Sequence, residues 1–140
     1  MPNVVICNTS PLQYLYQLGY LELLLHFYQQ VRIAPAVIRE LLAHHAQRYP
    51  VCDGMEIQEL YDTEHDHYQV LLLGWEDLHR VYQCLLHIDV KDGKIRIQED
   101  RTESGVANEL VALGVPKYDI VLAFHAPYKR PYTGFAAESS

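Results

Sequence analysis

The sequence is short of positive charge, which limits how the protein can interact with nucleic acid. Its 140 residues include 11 Lys and Arg against 18 Asp and Glu, for a formal net charge of −7. A protein that holds DNA or RNA mainly through phosphates needs a net or local surplus of cations. Lys129 and Arg130 form one local basic pair near the C-terminus. We therefore expect nucleic acid to be contacted only weakly, or indirectly through a protein partner.

Cysteines and long apolar runs are also scarce. Cys7, Cys52 and Cys84 are odd in number and widely spaced, so they predict buried thiols rather than a disulfide framework. The chain begins without the basic and apolar regions of a signal peptide. No apolar run approaches the roughly 20 residues that span a bilayer. These absences predict a cytoplasmic protein that does not contact a membrane.

Motifs for catalysis and phosphate binding are missing as well. Gly93, Gly105 and Gly114 each fit a turn or a helix end rather than a phosphate-binding loop, and there is no GxSxG sequence. His125 has no nucleophile or carboxylate beside it in sequence, which favours a structural or interface role. We predict no catalytic residue and no cofactor.

His65-Asp66-His67 is the segment of the sequence that most resembles a metal-binding motif. In a strand, His65 and His67 would share one face and could both contact one ion. A third ligand would have to approach across the sheet, from His79 or His87. The acidic neighbours favour a simpler interpretation, a solvated strand edge or turn, so the prediction is that no metal is bound.

Hydrophobic patterning predicts an α+β fold. The first 48 residues follow a β-α-β-α order, which is the start of a parallel α/β layer. The last helix of this segment begins at Pro35, ends near Pro50 and carries an apolar stripe at Val37, Ile38, Leu41 and Leu42. Strand-like runs follow at 55–61, 68–73 and 81–90. Residues 55–100 are therefore predicted to form an antiparallel four-stranded sheet that helices cover on one face.

Asp92-Gly93 between two alternating runs is the strongest local signal in the chain. It predicts a two-residue hairpin with a type I′ turn. In the register that follows, oppositely charged residues pair across the strands. The predicted pairs are Val90 with Ile95, Ile88 with Ile97, Asp89 with Arg96, and His87 with Gln98.

The region after the sheet is predicted to contain a helix and a second short segment. Thr102 is expected to cap a helix that ends at Gly114. Pro116 begins a second segment that continues to Phe124. The apolar run at 120–122 fits either a helix or a strand, and the position of Pro116 favours a helix.

Trp75 and the C-terminal region are the candidates for partner contacts. An exposed Trp often concentrates binding energy, whereas packing at a strand end is the alternative for Trp75. The C-terminal region mixes cations with aromatic rings, which is typical of a contact with nucleic acid or an acidic protein, and a packed tail is its alternative. The candidate contacts are Trp75, His125, Tyr128, Lys129, Arg130 and Tyr132.

Residues 4–41 resemble the opening of the PIN-domain family of predicted ribonucleases. The match consists of an apolar strand, the run NTSPL at 8–12, two helices, a second strand and a helix that bears Glu40. PIN nucleases gather carboxylates around Mg²⁺ or Mn²⁺. In this sequence Asn8 replaces the first Asp, Glu40 matches the second acid, and the segment with the later acids is absent. The resemblance implies an inactive remnant with Asn8 and Glu40 as vestigial positions.

The rest of the chain resembles the XisI-type fdxN-element excision controlling factors. The matching stretches are YDTEHDHYQVLLLGW at 61–75, HIDVKDGKIRIQED at 87–100 and TESGVANELVALGVPKYDIVLAFHAPYKRPYTGFA at 102–136. The two resemblances divide the chain into a PIN-like segment at 1–41 and a XisI-like domain at 37–140, which share the helix near 35–49.

The second resemblance implies a non-catalytic factor that acts beside a XisH-like companion protein in the excision of a DNA element. A metal-dependent PIN-type ribonuclease is the alternative function, and an antitoxin-like neutraliser of a nuclease partner is a third. A homo-oligomer is a further expectation, because a truncated PIN segment would leave apolar surface uncovered.

Overall fold

The structure, a computed structural model, describes residues 34–137, and these form an α+β fold. The elements, in chain order, are α1 (Ala34–Arg48), β1 (Met55–Asp62), β2 (His67–Glu76), β3 (His79–Lys91), β4 (Lys94–Asp100), α2 (Val106–Ala112) and β5 (Ile120–Leu122). Short 3₁₀ helices occupy Lys117–Asp119 and Pro127–Tyr132. Of the predicted β-α-β-α segment, only the last helix, α1, belongs to the described residues.

The five strands form one sheet in the order of the sequence. β1 to β4 are antiparallel, as predicted, whereas β5 pairs parallel with β4. A parallel neighbour needs a crossover connection, and α2 supplies it between β4 and β5. The prediction of a four-stranded, purely antiparallel sheet is therefore wrong in one respect, because it lacks the parallel fifth strand.

Of the two alternatives for the segment from Pro116 to Phe124, the structure contains the strand, so the favoured helix is wrong. Pro116 precedes a single 3₁₀ turn, and the next three residues form β5. All three side chains of β5 are buried. A short run that is buried on both faces has no helical or alternating pattern, so sequence periodicity cannot identify it as a strand.

The hairpin between β3 and β4 has the predicted turn. Asp92 and Gly93 both have positive φ, at 55° and 75°, as a type I′ turn requires. The pairs Val90–Ile95, Asp89–Arg96 and Ile88–Ile97 are confirmed. The fourth pair is wrong, because the register shifts beyond Ile88 and His87 faces Glu99 instead of Gln98. The shift leaves Gln98 as the extra residue of a β-bulge on β4.

The hydrophobic core lies between the two helices and one face of the sheet. The predicted apolar stripe of α1 is buried, with Ile38 and Leu42 fully enclosed. α2 contributes Val106 and Leu110 to the same core. Strand side chains that alternate along the chain face these helices, and they include Tyr68, Val70, Leu72, Leu86, Ile88, Ile95, Ile97 and Ile120.

Thr102 was predicted to cap α2, but Asp100 provides the capping carboxylate. The helix begins at Val106, after Gly105, and the N–H of Val106 donates to Asp100 Oδ2 at 2.8 Å. The Thr102 hydroxyl donates to Asp100 Oδ1 at 2.6 Å, so Thr102 supports the capping carboxylate instead of capping the helix itself. Gly114 ends the helix as predicted, since its N–H donates to Val111 and the N–H of Val115 donates to Leu110.

Arg130 anchors the C-terminal tail, residues 123–137. Its side chain is 6% exposed, and its guanidinium donates to the carbonyl oxygens of His125 at 2.9 Å and Ala123 at 3.2 Å. The tail then returns to the sheet through a bridge between Val121 and Ala136. A buried cation that carries charge-assisted hydrogen bonds to carbonyls holds this otherwise irregular segment in one conformation.

Gly74, which has a φ of +145°, lies close to the backbone of the neighbouring segment at Gly54 and Met55. A Cβ there would clash with the carbonyl oxygen of Gly54 and lie 2.7 Å from the Cα of Met55. We expect Gly74→Ala to lower the free energy of unfolding by about 3 kcal/mol or more. In Gly93→Ala the alanine would also adopt a strained positive φ, but its Cβ would meet nothing within 4 Å. This substitution should therefore lower the free energy of unfolding by only about 1 kcal/mol. Urea denaturation measures both, and equal losses would contradict the close approach at Gly74.

The anchoring role of Arg130 predicts unequal effects at two neighbouring basic residues. Arg130→Met removes the donors to Ala123 and His125, and we expect a loss of about 2 kcal/mol in the free energy of unfolding. Lys129 is exposed, so Lys129→Met should change this free energy by less than about 0.5 kcal/mol. Hydrogen exchange of residues 123–137 supplies the second measurement. Unchanged protection in Arg130→Met would show that other contacts hold the tail.

Candidate functional site on the open face of the sheet

The face of the sheet opposite α1, which we call the open face, carries two groups of functional side chains. On β1 to β3 its residues alternate with those of the core. Near the hairpin that joins β2 to β3 the face is apolar and aromatic. Toward the other end of the same strands it is polar and contains two histidines and an aspartate. The pairing of β2 with β3 fixes the separation of the two groups.

The first group, which we call the aromatic patch, consists of Leu73, Trp75, Tyr82 and Leu78. Leu73 and Tyr82 face each other across β2 and β3. Trp75, Tyr82 and Leu78 are 52%, 67% and 90% exposed. Arg80, opposite Trp75, places its guanidinium carbon 5.7 Å from the ring centroid and donates to the Gly74 carbonyl at 3.3 Å. Trp75 therefore presents a ring that a neighbouring cation holds in place on the surface.

The second group is a cluster of His67, His87 and Asp89. His67 lies directly opposite Asp89 in the β2–β3 ladder, and His87 precedes Asp89 by two residues on the same face. His67 Nδ1 and His87 Nε2 lie 2.7 Å and 2.9 Å from the same oxygen, Asp89 Oδ1. Gln98, the bulged residue of β4, donates to Asp89 Oδ2 at 3.2 Å. One carboxylate therefore connects three polar side chains from three strands.

The cluster is open to solvent on one side. The His67 side chain is 55% exposed, whereas those of His87 and Asp89 are 28% and 16% exposed. A shallow groove between β1 and β3 reaches the cluster past Leu60 and Gln69. A small ligand can therefore reach the histidine nitrogens without any movement of the strands.

The sequence motif His65-Asp66-His67 does not act as one unit in the structure. Asp66 is a turn residue with a φ of 61°, it is buried, and its Oδ1 accepts a hydrogen bond from the Tyr68 hydroxyl. Only His67 belongs to the cluster. His87, named as a cross-sheet candidate, does join it, whereas His79 lies at the opposite end of β3. Asp89 was missed as a member, although His-x-Asp within a predicted strand places both side chains on one face.

The acidic residues that precede His67 shape a turn. Asp62 Oδ1 accepts hydrogen bonds from the backbone N–H groups of Glu64 and His65, at 3.1 Å and 3.0 Å. Asp62 Oδ2 lies 2.9 Å from the His65 ring. The backbone N–H of His65, and then its ring, hold the pKa of Asp62 below its ordinary value. These contacts are those of an Asx turn between β1 and β2.

The predicted partner contacts fall into two separate places. Trp75 belongs to the aromatic patch, and the others lie in the tail. Tyr128 and Tyr132 are 72% and 88% exposed, and Lys129 is exposed beside them. His125 is half-buried and stacks against Phe124 with 4.7 Å between ring centroids. Arg130 differs from the rest because its buried guanidinium is bound to carbonyls of its own chain.

Of the two vestigial PIN positions, Glu40 alone belongs to the described residues. Glu40 is a half-buried residue of α1. Asn8 lies outside the described residues. Along residues 34–137, no helix has the length and apolar character that crossing a membrane would require.

Comparison with known proteins identifies relatives over most of the chain. A family model described as "XisI protein" matches residues 29–137. The crystal structure of a XisI-like protein from Anabaena variabilis is 42% identical, with a TM-score of 0.72 over 75% of this chain and 96% of its own. A second crystal structure from the same organism, described as fdxN element excision controlling factor XisI, is 31% identical with a TM-score of 0.67 and the same coverages. No curated protein matches the sequence.

These matches bear differently on the two resemblances read from the sequence. They lend no support to the PIN-like segment at 4–41, most of which lies outside the described residues. The family match and both structural relatives cover the part that contains the five-stranded sheet and its helices. On this evidence the chain belongs to the XisI family.

Proposed function

We propose that this chain is a controlling factor for the site-specific excision of a DNA element, and that it acts without catalysis by binding a companion protein. The observation that carries this proposal is membership of the XisI family, in which a 31%-identical relative is described as an fdxN element excision controlling factor. The companion we expect is a XisH-like protein, and the place of action we expect is the cytoplasm.

The charge of the chain supports an indirect role at DNA. With a formal net charge of −7, the protein has no general attraction to phosphates. Of the basic pair in the described tail, Lys129 is exposed to solvent and Arg130 is buried. The pair therefore offers one cation to a phosphate. A controlling factor with this charge reaches a DNA element through a partner that does the binding.

The aromatic patch is the surface we assign to the companion protein. Trp, Tyr and Arg are the residues that most often dominate binding energy at the centre of an interface, and Trp75, Tyr82 and Arg80 lie side by side. The hairpin tip adds Leu78, with Glu76 and Asp77 at the rim. An apolar centre with an acidic rim fits a partner whose own apolar patch has a basic rim.

Affinity for the companion is expected to depend on the aromatic patch. The double variant Trp75→Ala, Tyr82→Ala should weaken binding of a purified XisH-like companion at least tenfold, measured by isothermal titration calorimetry. Tyr118→Ala is the matched control, because Tyr118 is 68% exposed outside the patch. Tyr128→Ala, Tyr132→Ala tests the tail as the competing surface. A loss with the tail variant alone would contradict the assignment to the patch.

Two other results of this experiment bear on the proposal. If the wild-type protein fails to bind any XisH-like companion, the partner part of the proposal is wrong. We also propose that the chain self-associates, and light scattering at micromolar concentration measures this. If the double variant at the patch turns a homo-oligomer into a monomer while companion binding is unchanged, the patch is the contact between copies instead.

The non-catalytic part of the proposal is tested against the ribonuclease alternative. We expect no cleavage of single-stranded RNA in the presence of Mn²⁺, because Asn8 offers a neutral amide where a metal-binding carboxylate is needed. Wild type and Glu40→Gln should give the same background rate by gel electrophoresis of labelled RNA. Cleavage that Glu40→Gln abolishes would show instead that the chain is an active nuclease.

A further inference from the structure

The donor atoms of the His67, His87 and Asp89 cluster match a metal site. His67 Nδ1, His87 Nε2 and a carboxylate oxygen of Asp89 lie within 4.8 Å of one another. Two imidazoles and one carboxylate form the protein ligand set of zinc sites that keep a position open for water. We propose that this cluster binds one divalent transition-metal ion, with Zn²⁺ as the expected occupant. This inference is independent of the proposed role in excision.

The backbone holds these donors in place before any ion arrives. His67 and Asp89 are a direct cross-strand pair, and His87 shares their face on β3. β2 and β3 are neighbours inside the sheet, with β1 and β4 on either side. Ligands on paired strands keep their spacing better than ligands on loops, so little ordering is needed on binding.

The two distances from Asp89 Oδ1 to the histidine nitrogens require only a small adjustment to fit a zinc ion. At Zn–N and Zn–O distances of about 2.1 Å, tetrahedral ligand atoms lie about 3.4 Å apart. Asp89 Oδ1 is now 2.7 Å and 2.9 Å from the two histidine nitrogens, as expected for hydrogen bonds. A withdrawal of Asp89 Oδ1 by roughly half to three quarters of an ångström brings both of these distances to the value expected in a zinc site, within the range of its broad χ2 torsion.

The β-bulge at Gln98 adds an outer contact of the kind that metal ligands have. Gln98 is the extra residue of the bulge, and its amide donates to Asp89 Oδ2 at 3.2 Å. This hydrogen bond occupies one carboxylate oxygen and orients the other toward the histidines. Outer-shell donors of this type fix ligating carboxylates and tune their affinity for the ion. Bulges commonly aim a side chain at a functional site.

The surrounding charges set the expected strength and selectivity. Arg96 faces Asp89 across β3 and β4, and Lys91 and Arg130 line the same pocket as His67 and Asp89. These positive charges disfavour a further cation nearby. We therefore expect a dissociation constant in the micromolar range. Two imidazole nitrogens favour Zn²⁺ over Mg²⁺, because Mg²⁺ requires oxygen ligands in near-ideal octahedral geometry.

Titration with metal alone tests the site. Full-length protein without a histidine tag is stripped with a chelator, dialysed and titrated with ZnCl₂ by isothermal titration calorimetry. We expect one Zn²⁺ per chain at this site, and a thermal midpoint that rises by a few degrees, because the ion binds only the folded state. MgCl₂ at the same concentration should give neither effect. Absence of Zn²⁺ binding to the wild-type protein would overturn the proposal.

Three variants locate the ion. His67→Ala and Asp89→Asn should each weaken Zn²⁺ binding at least tenfold. His79→Ala is the matched control, because His79 is an exposed histidine at the far end of β3. His67 is half exposed, so its removal leaves the fold intact, and circular dichroism checks this for each variant. Wild-type affinity in His67→Ala would place the ion elsewhere and refute the assignment.

Discussion

The pairing of β2 with β3 is the constraint on which the rest of the structure depends. It is the longest of the pairings among the five described strands. A slip of one residue would exchange the two faces of a strand, which would expose Tyr68 and Val70 and bury His67 and Gln69. Burial of the core face under α1 therefore fixes the register. The open face inherits its arrangement from that register, including the placement of His67 opposite Asp89.

The described sheet contains two β-bulges, one on β3 and one on β4. Between Val70 and Leu71 the register with β3 shifts, which leaves Leu85 as an extra residue that is nonetheless buried in the core. The second shift, on β4, brings Gln98 to the carboxylate of Asp89. Neither shift has a local sequence signal comparable to Asp92-Gly93. Regular pairing therefore places the three members of the polar cluster, whereas its outer contact from Gln98 comes from an irregular position.

The features that the sequence predicted correctly depend on residues close together in the chain. The features that it did not predict depend on contacts with residues far away in the chain. The stripe on α1 and the type I′ turn follow from residues a few positions apart, and both are confirmed. β5 is a strand only because β4 offers an edge after the α2 crossover. The sequence likewise suggested Arg130 as a surface contact, since cations are usually exposed. Its burial requires the carbonyls of Ala123 and His125, which composition does not reveal.

The candidate sites on the open face share two strands but are far enough apart to act independently. Trp75 and His67 are separated by eight residues of β2, which is roughly 26 Å at the usual rise of a strand. Substitutions at such a distance usually have additive effects, unless an element between them has two alternative arrangements. The ladder between the sites is a continuous paired segment whose core side is closely packed. An ion at His67 would therefore change the affinity for the partner only if the partner itself reaches across the face. A partner affinity that depends on Zn²⁺ would indicate that the partner contacts both the aromatic patch and the cluster.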